Sequence, residues 1–153
     1  MPRSAFEPHV QEVILASWRE VSSWFSDQYK SGSLEIYLVS DKKMRILNKQ
    51  YRDLDKVTDV ISLDFGEDPL EGKMGVIYLA RGLVKKIADH FGHSVADEIV
   101  FLVVHGILHV WGYDHEKKSD EKKMLAATKI VLQNFPQYTP MLATYKPRSL
   151  IDY

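Results

Sequence analysis

The chain has 153 residues, enough for one core and one domain. Its 45% apolar and 27% charged content is that of a globular protein, and a net charge of −1 gives no support to blanket attraction to nucleic acid. Cysteine is absent, which removes disulfides, iron–sulfur clusters and thiolate metal sites, so any metal must be held by His, Asp or Glu.

The opening MPRSAFEPHV lacks the apolar stretch of a secretory signal. Residues 10–26 place Val10, Val13, Ile14, Val21, Trp24 and Phe25 near helical spacing, which predicts an amphipathic helix. SGS breaks the chain, and LEIYLVS (34–40) reads as a strand. Ser40 and Asp41 can cap a second helix, with Met44, Leu47 and Tyr51 on or near one face. Lys42, Lys43, Arg45, Lys49, Arg52 and Lys56 gather here among interleaved acids, and a solvated face and a binding stripe are equally good readings. VTDVISLDF (57–65) is a strand rich in β-branched residues, GEDPLEGK a loop by its turn chemistry, and MGVIYLA (74–80) a further strand.

A helix over about 82–90 is expected to stop at Gly92, and Ser94 with Asp97 resembles a capping box that opens the next one. That helix, 95–110, is apolar almost all round, so it should cross the centre of the domain; its apolar run is too short to span a bilayer. Gly112 is placed to end it. A last helix covers about 118–134, and the proline-bearing tail from Phe135 is expected to be irregular. The order of elements indicates an α+β domain, a small sheet with helices packed against it.

The chemistry concentrates in HGILHVWGYDH, residues 105–115. His105 and His109 are four apart on a helix, which puts both rings on one face, about 5–6 Å apart at Cβ. Gly112 reverses the chain, so His115 can return as a third nitrogen. Three protein ligands leave one position of a tetrahedral ion open, the arrangement of catalytic rather than closed structural sites. Zinc suits all-nitrogen ligation best, with nickel, copper and iron(II) as alternatives. Asp114 is a candidate to orient a ligand ring, or simply a turn acid. His9, His90 and His93 show no such geometry and are expected at the surface. The block has the spacing of the zinc-protease signature HExxHxxGxxH, but Gly106 stands where that signature carries its Glu base. Peptide hydrolysis by that route therefore lacks its proton acceptor. The same ion can polarise a phosphoryl oxygen, and an arginine fork can neutralise a phosphodiester.

With its Gly in that place, HGILHVWGYDH resembles the signature of the YbeY family of metal-dependent endoribonucleases, also called rRNA maturation factors. LNKQYRDLDKVTDVIS (47–62) resembles the family's second signature. The resemblance implies a single α+β domain over residues 1–153, with a four-stranded mixed sheet and a metalloprotease-like central metal-binding helix. It implies His105, His109 and His115 as ligands, zinc as the ion and single-stranded RNA as substrate. Arg52 falls on the family's phosphate-contacting arginine, while Thr58, Asp59 and Ser62 are expected to shape the cleft beside the metal. The implied role is 3′-end maturation of 16S rRNA and ribosome quality control in the cytoplasm. The implied partners are precursor rRNA, ribosomal small-subunit proteins and a GTPase, with no membrane. The chain departs from the family's pattern at Leu63–Asp64, where a proline commonly follows the serine, at Val76 in place of an acid, and at Phe101 in place of a histidine. Met124 also matches a family position, though an ordinary core methionine accounts for it. Two other readings remain open on the residues alone: an assembly factor whose metal is structural, and a hydrolase of another substrate class.

Overall fold

A computed structural model describes residues 6–25, 32–113 and 117–143. The elements are α1 (Pro8–Phe25), β1 (Ser33–Val39), α2 (Asp41–Arg52), β2 (Val60–Asp68), β3 (Gly72–Ala80), α3 (Arg81–Phe91), α4 (Val95–Val110), α5 (Lys118–Leu132), a 3₁₀ turn (Pro136–Tyr138) and α6 (Thr139–Ala143). The α+β class stands.

The sheet has three strands in the order β1-β3-β2, with β1 parallel and β2 antiparallel to the central β3. The expectation of four strands is thus corrected: no fourth strand joins the sheet among the described residues. The segment ahead of β1 is helical because Val10, Val13, Ile14, Trp18 and Val21 recur at helical spacing and bury against α4. Strand alternation gives the sheet two unlike faces. Leu34, Ile36, Ile77 and Leu79 join the core built around α4, whereas Val39, Ile61, Leu63, Tyr78 and Ala80 pack with Met44 and Leu47 of α2 and Leu83 and Ile87 of α3.

GEDPLEGK is mostly strand rather than loop. β2 runs on to Asp68, only residues 69–71 turn, and the register shifts between Asp64 and Glu67. Cross-strand pairing overrides the local turn signal here. The turn is closed by Asp68, whose Oδ1 accepts the Leu70 and Glu71 N–H groups at 2.8 and 2.9 Å. The buried Lys73 amine holds the hairpin down, 2.8 Å from Asp64 Oδ2 and 5.3 Å from the Trp111 ring centre.

α4 crosses the middle of the domain, as its apolar sequence requires. Val100, Val103, Val104, Ile107 and Leu108 are each fully buried, and each such side chain stabilises the fold by about 1.5–3 kcal/mol. Its start is capped as expected, with Ser94 Oγ accepting the Asp97 N–H at 3.1 Å. Its end is closed by Gly112 (φ 99°), whose N–H reaches the His109 carbonyl at 2.9 Å. The described part of the tail forms the 3₁₀ turn and α6, against the irregular expectation. Tyr138 is completely buried, and its hydroxyl meets His9 Nε2 at 3.0 Å, tying the tail to α1. Among the described residues, no single helix is long and apolar enough to cross a membrane.

Candidate active site

His105 and His109 lie in the third and fourth turns of α4, both half-buried. Their Nε2 atoms approach to 3.1 Å, with ring centres 4.7 Å apart and planes at 73°. Two imidazole nitrogens sharing a tetrahedral ion at about 2.0–2.1 Å stand roughly 3.3 Å apart, so the pair fits one small divalent ion. A hydrogen bond between the two Nε2 atoms uses one ring as donor and the other as acceptor, whereas an ion would engage both as acceptors. Phe101 lies one turn earlier, its ring centre 6.5 Å from that of His105 at 21°, where it backs the ring apolarly. His115 and Asp114 lie outside the described residues, and among those described no third His, Asp or Glu completes the set.

The sheet passes close beside this face. A Cβ placed on Gly106 would stand 2.7 Å from Ile77 Cδ1 and 2.8 Å from Ser62 Oγ. Gly106 thus permits the close approach of helix to sheet, and a larger side chain would have to displace the Ile77 and Ser62 side chains. Ser62 sits on β2 opposite Ile77, half-buried and facing α4. Val76, one residue before Ile77, points to the opposite side of the sheet by strand alternation. The missing acid at that position thus leaves the histidine pair untouched. Met124 is a fully buried core residue, which supports the plain reading of it.

Arg52 is the last residue of α2, held there because Ser40 caps the start and Asp53 ends the helix in the left-handed region (φ 57°). The residue is exposed, yet its guanidinium is partly desolvated, which lowers its pKa, while the Asp59 carboxylate opposes that shift. Asp59 is itself buried at the mouth of β2. Burial pushes its carboxyl pKa up; the Val60 N–H, 2.8 Å from Oδ1, pulls it down; the charge of Glu98 raises it again; and the Thr58 hydroxyl at 3.4 Å lowers it.

Glu98 and His93 are the residues that sequence reading missed. Glu98 is completely buried and bonded to His93 Nε2, so His93 is not the surface residue expected of it. The signal was present: Glu98 stands seven residues before His105, which places it within roughly 20° of that histidine around the helix. A carboxyl on the same stripe as the two histidines was legible, but first-turn acids are common enough to hide it. His90 is exposed, as expected.

The arrangement is one face of α4 carrying Glu98, His105 and His109, flanked by Ser62 and Asp59 of the β2 segment, with Arg52 near Asp59. It offers two imidazole nitrogens and a hydroxyl, with an arginine cation near Asp59, and a glycine where the HExxH signature carries its base. The profile of the endoribonuclease YbeY family matches residues 3–136. The chain is 36% identical to the endoribonuclease YbeY of Nitratiruptor sp. over 127 residues, covering 83% of this chain and 87% of that one. It is 33% identical to the endoribonuclease YbeY of Staphylococcus carnosus over 143 residues, covering 85% and 94%. In three dimensions it resembles the solution structure of TM1509 from Thermotoga maritima, with a TM-score of 0.56, 24% identity and 95% of each chain covered, a likeness of fold. The chain belongs to the endoribonuclease YbeY family.

Proposed function

We propose that this endoribonuclease depends on a divalent ion, zinc by preference, held by His105, His109 and His115, and that it cuts single-stranded RNA. Its place would be the cytoplasmic maturation of the 16S rRNA 3′ end and ribosome quality control, with small-subunit proteins and a GTPase as partners. The observation that carries the metal reading is the 3.1 Å approach of the His105 and His109 Nε2 atoms. Neutral imidazole pairs of this kind suit zinc, and nickel or another transition metal is the substitute.

When bound, the ion supplies Lewis acidity toward a phosphoryl oxygen and toward water. The chain supplies the rest. Arg52 binds phosphate through a planar fork of donors, a geometry lysine cannot copy. Asp59, buried beside it with a carboxyl pKa raised chiefly by burial, lines the same cleft. Gly106 removes the peptidase base and lets β2 close against the helix.

The test is metal analysis of the purified protein, paired with cleavage of a single-stranded RNA by wild type and His109→Ala, with a duplex RNA as control. Bound zinc, cutting of the single strand and loss of both metal and cutting in the variant are expected. Metal-free wild type that cuts as well as the loaded protein would remove the metal from the reaction.

A further inference from the structure

The three atoms nearest to a Cβ on Gly106 are two carbons of Ile77, at 2.7 and 3.2 Å, and one polar atom, Ser62 Oγ, at 2.8 Å. Thus a hydroxyl stands beside the place where the base of a HExxH protease would begin. Helical geometry puts that place about 100° around the axis from His105 and about 60° from His109. Ser62 therefore flanks the face from which both imidazoles project.

Two features set this serine apart from a packing residue. It lies on the side of β2 that faces the apolar core helix, where its strand partner is the fully buried Ile77. No hydrogen-bond partner for its hydroxyl is found among the described residues, and the residue is half-buried rather than sealed. Its Oγ is not among the buried polar atoms left unsatisfied, so the hydroxyl is not sealed in the core. Close approach of the helix requires a small side chain here, a need that alanine would meet as well; serine adds a hydroxyl at the edge of the histidine face.

We infer that Ser62 touches the substrate: its hydroxyl donates a hydrogen bond to a nonbridging oxygen of the phosphate to be cleaved. A serine hydroxyl ionises far above neutral pH and takes no proton there, so its role is donation rather than base catalysis. It complements Arg52, which brings charge, with a short neutral donor set close to the ligands. This inference rests on the reading of the site as an RNA-cutting centre, which it makes more specific.

Ser62→Ala separates the hydroxyl from the packing. The variant should keep wild-type metal content and thermal midpoint and lose about 10–100-fold in kcat on single-stranded RNA, the usual effect of deleting one donor to a charged group. Ser62→Thr, which keeps the hydroxyl, should retain most of the rate. A substrate with one nonbridging oxygen of the scissile phosphate replaced by sulfur should slow the wild type more than Ser62→Ala, because the two changes share one contact. Wild-type kcat in Ser62→Ala overturns the proposal, as does a rate loss matched by lost metal or a lowered midpoint. Wild type that cuts no RNA would instead sink the RNA-cutting reading of the site, and this inference with it.

Discussion

Ser62 Oγ stands 2.8 Å from the point at which a Cβ on Gly106 would begin, and Ile77 Cδ1, from its strand partner, stands 2.7 Å from it. An exposed helical glycine changed to alanine gains roughly 0.5–1 kcal/mol. Here the added methyl meets two occupied positions, and overpacking of this kind costs typically 1–3 kcal/mol, so the cost wins. Gly106→Ala should lower the stability read by urea unfolding, and Gly106→Glu should lower it further without producing peptidase activity. Adding Ile77→Val, which removes the Cδ1 atom, should return part of the loss.

Removal of the metal by a chelator should abolish cleavage and leave the domain folded. The core runs through α1, α4, α5 and the inner sheet face, and the two histidines sit at its edge, half-buried. Circular dichroism should show native helix content in the apo protein. His105→Ala should cut metal affinity by more than the 10–100-fold typical of losing a supporting residue, since it deletes a ligand outright. Collapse of the fold on chelation would mark the ion as structural.

Arg52→Ala should weaken RNA binding without changing the melting temperature, because the side chain ends α2 at the surface. Loss of one phosphate contact should reduce the slope of log K against log salt by about 0.7, the value for a single strand. Arg52→Lys should restore the slope and little of the rate, since a point charge lacks the arginine's fork. An unchanged salt slope in Arg52→Ala would mean that the residue does not meet phosphate.

The raised pKa of Asp59 fixes the sign of a pH effect. The folded state holds this proton more tightly than the unfolded chain, so stability falls as pH rises from the ordinary carboxylate range up to the raised value. Asp59→Asn, which cannot ionise, should remove that slope. Denaturant titrations across mildly acidic pH should show a flatter profile for the variant, and NMR titration of the wild type should place this carboxyl above its usual range.

Asp53 takes a left-handed backbone (φ 57°) and its carboxylate meets Lys49 at 2.8 Å on the surface. Glycine adopts that backbone without strain, and an exposed pair of this kind contributes little. Asp53→Gly should therefore leave stability unchanged or raise it by up to about 1 kcal/mol in thermal unfolding. A loss above about 1 kcal/mol would give the ion pair a weight that its exposure argues against.

Helices were legible wherever an apolar stripe met a capping residue, as at Ser40 and Ser94, since both signals are local. Strand extent was less so. The β2–β3 hairpin outran its turn residues because pairing across the sheet, with Asp68 closing the turn, is decided by the partner strand. The histidine pair could be read from spacing alone, because four residues of helix fix where two rings meet. The His93–Glu98 bond could not: it joins a loop residue to a helix start, and nothing in the spacing distinguishes it from a solvated pair. Val76 shows the converse, since only the alternation of a placed strand reveals which side of the sheet it serves.

The parallel pairing of β1 with β3 sets Ser33 beside Met74. The other residues assigned to the site, Arg52, Asp59 and Ser62, all lie on the stretch of chain closed into a loop by that pairing. Closing such a loop costs chain entropy before any contact rewards it, and pairings distant in sequence are slow to form. A nascent or partly folded chain with α4 already helical would hold two converging histidines without the arginine, the acid or the hydroxyl beside them. Competence to handle RNA therefore arrives with the finished sheet, which keeps an immature chain from being a reactive one.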